Sequence, residues 1–228
     1  MINLNNELKD YVEHAIANIN LGEHAFFRSL LNGELKKEAF IETQKDFSFM
    51  VQYFNRPMAL VAANIPNPLT RQAIIGNLWE EHGNGDPSKI HGKTILTLIE
   101  RLGGKAPDVV NDAIPTNAEL FNISLQGISA HEDYRVSASV FGGIERTFAD
   151  VSELICQAIT RHGWLEKENI IHYGLHKEID VQHAEDFFKV VETDWEKDQQ
   201  SKEMIKRGVN LGINLFTNVY SDFARNYC

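Results

Sequence analysis

Residues 169–187 carry four side chains whose types and spacing are those of a metal site. The stretch reads NIIHYGLHKEIDVQHAEDF, in which His172, His176, Asp180 and His183 stand at i, i+4, i+8 and i+11. An α-helix turns by about 100° per residue, so these four side chains would lie within an arc of about 80°. Neutral imidazole nitrogens and a carboxylate oxygen on one face are suitable ligands for a divalent transition metal.

The alternative for the same stretch is a solvated helix face. Five residues of the outward-facing type belong to it: Lys177, Glu178, Gln182, Glu185 and Asp186. Apolar residues flank the four candidate ligands on the other side: Ile171, Leu175, Ile179 and Phe187. A bare charge beside an apolar face is costly without a partner, so a metal site here needs further ligands from elsewhere in the chain.

Composition limits the classes of protein to which the chain can belong. It has 228 residues, of which 43% are hydrophobic and 24% charged, values typical of a soluble globular domain. The net charge of −10 and the lack of a basic cluster argue against nucleic acid and anionic membranes as partners. Cys156 and Cys228 form no disulfide framework, and no apolar signal or membrane-spanning run is present. We therefore expect a cytoplasmic protein.

Apolar residues recur with helical spacing along the whole chain, without an alternating β pattern, a repeat or a linker. The sequence predicts one all-α domain, residues 1–228, built as a bundle of seven or eight helices. The four candidate ligands His172, His176, Asp180 and His183 form a stripe on a predicted helix over 166–197. A long helix over 132–161 precedes it. A helix over 69–82 ends at Gly83, and the next is predicted to begin at Asp86-Pro87, an N-cap followed by proline at the first helical position.

Glu145 is the first candidate for a further ligand. In VFGGIERTFADV it shares a helix face with Phe141 and Phe148, so its carboxylate is predicted to lie among apolar neighbours. A salt bridge to an arginine would be the structural explanation. The adjacent Gly142-Gly143 pair leaves room close to the backbone, which favours a carboxylate that bridges metal ions.

Glu81 and His91 complete the candidate set. Glu81 lies on the apolar side of its helix, whereas Glu80 is predicted to be solvated, and His91 follows the tight GNGDP connection. His82 is an alternative to His91. Three carboxylates and three imidazoles suit a dinuclear site of two divalent cations. A ferritin-like site needs two Glu-x-x-His pairs on separate helices. Among the candidate ligands only Asp180-x-x-His183 has a related form, so a ferritin-like site is disfavoured. A mononuclear iron site with His176, Asp180 and His183 as its ligands stays open.

From about Gly22 to Glu185 the chain resembles the haem-oxygenase-like di-iron oxidases and oxygenases. The resemblance rests on GEHAFF, NGELKKEAF, NLWEEHG with a following histidine, the mid-helix glutamate and HKEIDVQHAE. It implies a haem-oxygenase-like bundle, a homodimer, and a cofactor of two iron ions, or iron with manganese. It also implies the ligands: Glu81, His91 and Glu145 for one ion, and Glu145, His176, Asp180 and His183 for the other.

The activity that the resemblance implies is oxidation of a small organic substrate by O₂, through N-oxygenation, desaturation or C–C cleavage. Members of the family that convert their own tyrosine into p-aminobenzoate have tyrosine at two positions where this chain has Phe27 and Ile144. Their later lysine is replaced by Ile155. We therefore expect an external substrate. The residues expected to line its pocket are His24, Phe27, Phe141 and His172.

Three other functions remain open at this stage. One is a metal-free enzyme of the TenA or pyrroloquinoline-quinone synthase type, in which Cys156 would be a nucleophile. Another is a haem oxygenase with His14 or His24 as axial ligand, although carboxylates beside a haem iron fit that function badly. The third is a helical protein-interaction module, because one member of the family is named for its association with death domains; that function would need an exposed apolar patch.

Overall fold

The computed structural model describes residues 4–228, and these residues contain nine α-helices and no strand. The helices are α1 (Asn6–Ala17), α2 (Ala25–Asn32), α3 (Lys37–Asn64), α4 (Pro68–Glu81), α5 (His91–Arg101), α6 (Thr116–His131), α7 (Tyr134–Arg161), α8 (Ile171–Lys197) and α9 (Gln199–Tyr227). The all-α prediction is confirmed, with a helix count slightly above the expected seven or eight. Within the same residues, no helix combines the length and the apolar character needed to cross a lipid bilayer.

Side-chain caps and glycines set several helix ends. The Asn5 side chain accepts hydrogen bonds from two backbone amides at the start of α1, and Asp133 and Asp198 cap α7 and α9 in the same way. Gly33, with φ of 76°, ends α2 in the left-handed conformation that glycine adopts without strain.

The prediction that a helix begins at Asp86-Pro87 is wrong. The Asp86 side chain accepts hydrogen bonds from the backbone amide and the hydroxyl of Ser88, which closes a turn, and α5 begins only at His91. An aspartate that bonds to the amide two residues ahead can cap a helix or close a turn, and the local sequence does not distinguish the two. As a consequence, His91 is the first residue of α5.

Helix α7 lies at the centre of the fold and packs along α8 and α9. Glycines bring these helices close together. A Cβ on Gly142 would stand 2.8 Å from the Phe188 ring of α8, and one on Gly143 would stand 2.9 Å from the carbonyl oxygen of Val209 of α9. The space beside Glu145 that the sequence assigned to a ligand is therefore filled by neighbouring helices.

Helix α3 packs against α4, α5 and α6, and both α4 and α5 also contact α8. It runs through Pro57 as one continuous helix. The carboxyl end of α4 and the first turn of α5 thereby approach the face of α8 that carries the candidate ligands.

Candidate metal centre

Glu145 of α7 and Asp180 and His183 of α8 form a buried cluster. Each offers one ligand atom, and these atoms all lie within 4.8 Å of one another. Glu145 is 3% exposed, Asp180 0% and His183 2%. Atoms bound to one ion at about 2.0–2.2 Å lie up to about 4.4 Å apart, so the cluster fits an ion after small side-chain movements.

The stripe on α8 is buried along its length, so the solvated-face alternative is wrong. His176 Nδ1 lies 2.9 Å from Asp180 Oδ1, and His183 Nδ1 lies 3.8 Å from the same oxygen. His172 is also fully buried. Glu185, which the sequence placed on the outward face, is buried as well, at 5% exposure.

Glu81 and His91 meet at the corner between α4 and α5, as the sequence suggested. His91 Nδ1 lies 2.8 Å from Glu81 Oε1, and both side chains are buried. The His91 ring lies 4.9 Å from that of His176, measured between centroids, which joins this pair to the α8 stripe. His82 is exposed and donates from Nδ1 to the backbone oxygen of Leu78 at 2.7 Å. Of the two alternatives, the structure brings His91 to the cluster.

Glu80 is a site residue that sequence reasoning missed, because it was assigned to solvent. It is partly exposed, and its Oε2 accepts a hydrogen bond of 3.1 Å from His183 Nε2. With the proton on Nε2, the lone pair of His183 is on Nδ1, the nitrogen that faces Asp180. Glu80 lies 103 residues before its partner. We find no local sequence signal for this contact.

Three ligand atoms of the cluster and one of the neighbouring His176 are buried without a hydrogen-bond partner in the described part of the chain. They are Glu145 Oε1, His176 Nε2, Asp180 Oδ2 and His183 Nδ1. An unpaired buried polar atom costs about 1–3 kcal/mol, so four of them on four neighbouring candidate ligands need a common explanation. Two oxygens and two imidazole nitrogens are the ligand types of a non-haem iron or manganese site, and the residues therefore fit the metal.

The electrostatics of the metal-free cluster follow from its burial. Burial, followed by the charges of Asp180 and Glu81, holds the pKa of Glu145 well above its usual range. Burial also raises the pKa of Asp180, against the lowering effect of His176 and His183. Without a cation, these two carboxylates cannot both be ionised at low cost.

For two residues beside the cluster, Glu81 and His176, hydrogen bonds and neighbouring charges outweigh the effect of burial on the pKa. Burial opposes ionisation of Glu81, but the hydrogen bond and charge of His91 outweigh it and lower the pKa of Glu81. Burial disfavours the cationic form of His176, but the charge and hydrogen bond of Asp180 outweigh it and raise the pKa of His176.

A cavity of about 40 Å³ adjoins the cluster. Glu81, Glu145, His172 and His176 supply its polar wall, and most of the remainder is apolar and aromatic. The phenylalanines of that wall are Phe47, Phe54, Phe121, Phe148 and Phe216. The position of the cavity beside the ligands makes it the candidate substrate site.

His172 has one ring nitrogen fixed and the other free. Its Nδ1 lies 2.8 Å from the Thr94 hydroxyl, whereas its buried Nε2 has no hydrogen-bond partner among the described residues. Burial, followed by the charges of His176 and His91, holds the pKa of His172 well below its usual range, so the ring is neutral.

Three residues expected in the pocket lie elsewhere. His24 caps α2, accepting from the Phe26 amide with Nδ1, and its Nε2 lies 3.0 Å from the Ser221 hydroxyl. Phe27 packs on Tyr220, with ring centroids 4.8 Å apart. Phe141 stacks between two other phenylalanines of the core. Phe27 and Phe141 are core residues and His24 is a helix cap, and each contacts residues from other helices. The sequence pattern does not specify which helices meet, so it could not exclude these three residues from the pocket.

The residues that the alternative functions would use are also placed. Cys156 adjoins a surface pocket with Lys167 and Lys177, away from the cavity, and burial raises the pKa of its thiol to about 11. Such a thiol is a poor nucleophile at neutral pH. His14 is exposed and bonded to its own helix backbone. Since His24 has both nitrogens engaged, neither histidine is arranged as a haem ligand.

Comparison with known proteins identifies the family and the fold of the chain. A family described as iron-containing redox enzymes matches residues 42–217. No curated protein matches the chain. Among solved structures, a domain of unknown function with a haem-oxygenase-like fold from Shewanella denitrificans aligns with a TM-score of 0.77 at 20% identity, over 97% of this chain and 92% of that one.

Two TenA homologues show the same architecture. The protein from Pyrococcus furiosus aligns with a TM-score of 0.69 at 15% identity, over 96% of this chain and 98% of its own. The protein from P. horikoshii aligns with a TM-score of 0.69 at 14% identity, over 96% and 97%. At these identities the likeness extends to the fold alone.

Proposed function

Because this chain belongs to the iron-containing redox enzymes and has a haem-oxygenase-like fold, we propose that it is a non-haem di-iron oxidase or oxygenase. It would use O₂ to oxidise a small organic substrate. The observation that carries this proposal is the set of unpartnered donor atoms on Glu145, His176, Asp180 and His183. Iron or manganese bound there would supply O₂ binding and redox chemistry.

The residues divide into two groups around Glu145. Asp180 and His183 lie with Glu145 in the tight cluster, and His176 is held against Asp180. Glu81 and His91 form the second group, and their mutual hydrogen bond would be given up if both bind the same cation. Glu145 would bridge the two groups. Three carboxylates against two divalent cations leave a small positive charge, which removes the penalty of burying the anions.

The protein would hold the ligands in position, keep water away from them and control which of their atoms carry protons. The phenylalanines that line the cavity exclude water from the polar wall on which the ligands lie. Because its pKa is raised in the metal-free chain, Glu145 favours its protonated form there, and a bound metal would displace that proton. Glu80 holds the His183 ring so that Nδ1 points to the cluster.

Elemental analysis of chain reconstituted anaerobically with ferrous iron tests the proposal. We expect close to two equivalents per chain, and O₂ uptake after addition of air. A plateau at one equivalent would favour a mononuclear site, and no bound metal would favour the metal-free TenA type of enzyme.

Two neighbouring histidines form a matched pair for this measurement. His91→Ala removes a buried candidate ligand, so the variant should bind one equivalent fewer than the parent chain. His82→Ala removes an exposed imidazole and should leave the stoichiometry unchanged.

A homodimer also remains a prediction, which light scattering of the purified chain tests.

A further inference from the structure

We propose that Nε2 of His172 is the hydrogen-bond acceptor for the substrate, and that the cavity binds a compact apolar molecule carrying an N–H or O–H group. This inference rests on the proposed function for the identity of the cavity as a substrate site. It concerns a residue that is not among the proposed metal ligands, and it limits the class of substrate.

The direction of the hydrogen bonds around Thr94 determines the tautomer of His172. The Thr94 hydroxyl has one proton, and its oxygen lies 2.7 Å from the backbone carbonyl oxygen of His91, an atom that only accepts. The proton is therefore committed to His91. The contact of 2.8 Å between the same hydroxyl and His172 Nδ1 must then have its proton on the imidazole. Nδ1 donates, and because neither nitrogen of this fully buried ring is paired with a carboxylate in the described part of the chain to balance a second proton, Nε2 carries a lone pair.

That lone pair has no partner in the described part of the chain. His172 is 0% exposed and lines the cavity, and its Nε2 is buried without a hydrogen bond. The other polar groups on the cavity wall are Glu81, Glu145 and His176, which the proposed metal site uses. His172 thus offers the cavity an acceptor that the metal site does not use.

The surroundings of His172 place the bound group beside the reaction centre. Its ring centroid lies 4.5 Å from that of His176, and the rings of Phe148 and Phe47 lie 5.8 Å and 6.5 Å away. A donor about 2.8–3.0 Å from Nε2 would stand next to His176, with the rest of the molecule against phenylalanine. A ligand without an N–H or O–H group would leave Nε2 buried and unpaired, which is the basis of the selectivity.

Pyrrole and furan are a matched pair of probes for this acceptor, because the two rings have nearly the same shape and only pyrrole carries an N–H donor. Their binding is measured by NMR titration on the full chain, once after chelator treatment and once loaded with Zn²⁺ as a redox-inactive metal. We expect pyrrole to bind about three- to tenfold more tightly than furan. In His172→Phe, which keeps an aromatic ring of similar size, the difference should vanish.

Thr94→Val and ring-¹⁵N spectra test the tautomer independently. In the parent chain, the His172 signals should show the proton on Nδ1. In Thr94→Val, which removes the acceptor for that proton, the Nε2–H form should appear and the preference for pyrrole should decrease. Circular dichroism of both variants checks that the helices are retained.

Equal affinity for pyrrole and furan, no binding of either ring, or a preference for pyrrole that persists in His172→Phe would overturn the inference. An Nε2–H tautomer of His172 in the parent chain would also overturn it. Loss of Zn²⁺ from His172→Phe would make His172 a metal ligand and would overturn it as well. Failure of the parent chain to bind any metal would refute the proposed function instead. The titration of chelator-treated chain with pyrrole and furan needs no metal, so it tests the inference about His172 separately from the proposed function.

Discussion

Oε2 of Glu80 lies 3.1 Å from Nε2 of His183, and the other nitrogen of the same ring is buried beside Asp180 and Glu145. One side chain at the edge of the site therefore sets the orientation of a ligand in its interior. Carboxylates that hold a metal-binding histidine in this way also increase its basicity.

Glu80→Gln should weaken metal binding about 10- to 100-fold without loss of helix. The amide oxygen can still accept the hydrogen bond, but the negative charge that increases the basicity of His183 is gone. Competition with a chelator measures the affinity. Glu178→Gln, an exposed glutamate of α8, is the control and should bind metal as the parent chain does. Equal affinities in the two variants would show that Glu80 has no effect on the site.

Asp180→Ala and His183→Ala should each bind at least one metal equivalent fewer than the parent chain while remaining helical. Removing the buried carboxylate removes its desolvation cost, which offsets the loss of its hydrogen bond to His176, so the metal-free Asp180→Ala chain should remain folded. Elemental analysis and circular dichroism measure the two effects. Gln182→Ala on the exposed face of α8 is the control. Collapse of the metal-free variants would instead make both residues structural.

Glu145→Gln should change the pH dependence of stability of the metal-free chain. The folded-state pKa of Glu145 is raised, so its stabilising contribution is complete below the unfolded pKa of about 4.3 and is lost as pH rises towards the folded value. Relative to Glu145→Gln, the parent chain should lose up to about 1.4 kcal/mol per pH unit above that point.

Urea unfolding of both chains between about pH 5 and pH 8 measures this difference. A difference that stays constant across the range would mean that Glu145 has the same protonation in the folded and unfolded chains. Glu178→Gln serves again as the control, because it makes the same chemical change at an exposed glutamate of α8 outside the cluster.

Gly212→Ala should destabilise the packing of α7 against α9. Its Cβ would stand 2.2 Å from the carbonyl oxygen of Val140, so the helices would have to separate, at a cost of about 1–3 kcal/mol or more. Gly127→Ala in α6 is the control, because nothing lies within 4 Å of its Cβ and alanine should gain about 0.5–1 kcal/mol there. Thermal unfolding compares them. Stabilisation by both substitutions would contradict the close approach of the two helices.

Reaction with O₂ should leave the tyrosines of the chain intact. Phe27 packs on Tyr220, and the buried Tyr173, next to His172, donates its hydroxyl proton to Gln44. Neither hydroxyl belongs to a residue that lines the cavity. Intact-protein mass spectrometry before and after a single turnover tests this expectation. Loss of a side-chain fragment with release of p-aminobenzoate would refute the need for an external substrate.

The sequence by itself determined the features that depend on neighbours within one helix. His172, His176, Asp180 and His183 share a face because helical geometry repeats locally, and the apolar periodicity that identified the helices depends on the same repeat. The burial of Glu145 could be inferred in the same way, from the apolar residues one turn away on each side. For these residues, spacing along the chain is sufficient to give the direction of a side chain.

The tertiary structure decided which side chains meet across helices. His91 and not His82 joins the site because the chain turns at Asp86 and α5 begins at His91, and Glu80 reaches His183 because α4 packs on α8. The Gly142-Gly143 pair is explained by the approach of α8 and α9. Nε2 of His172 is left as an acceptor because the hydroxyl oxygen of Thr94, 78 residues earlier, accepts a hydrogen bond from the other ring nitrogen. Such contacts depend on how separate helices pack, which the spacing within any one helix does not specify.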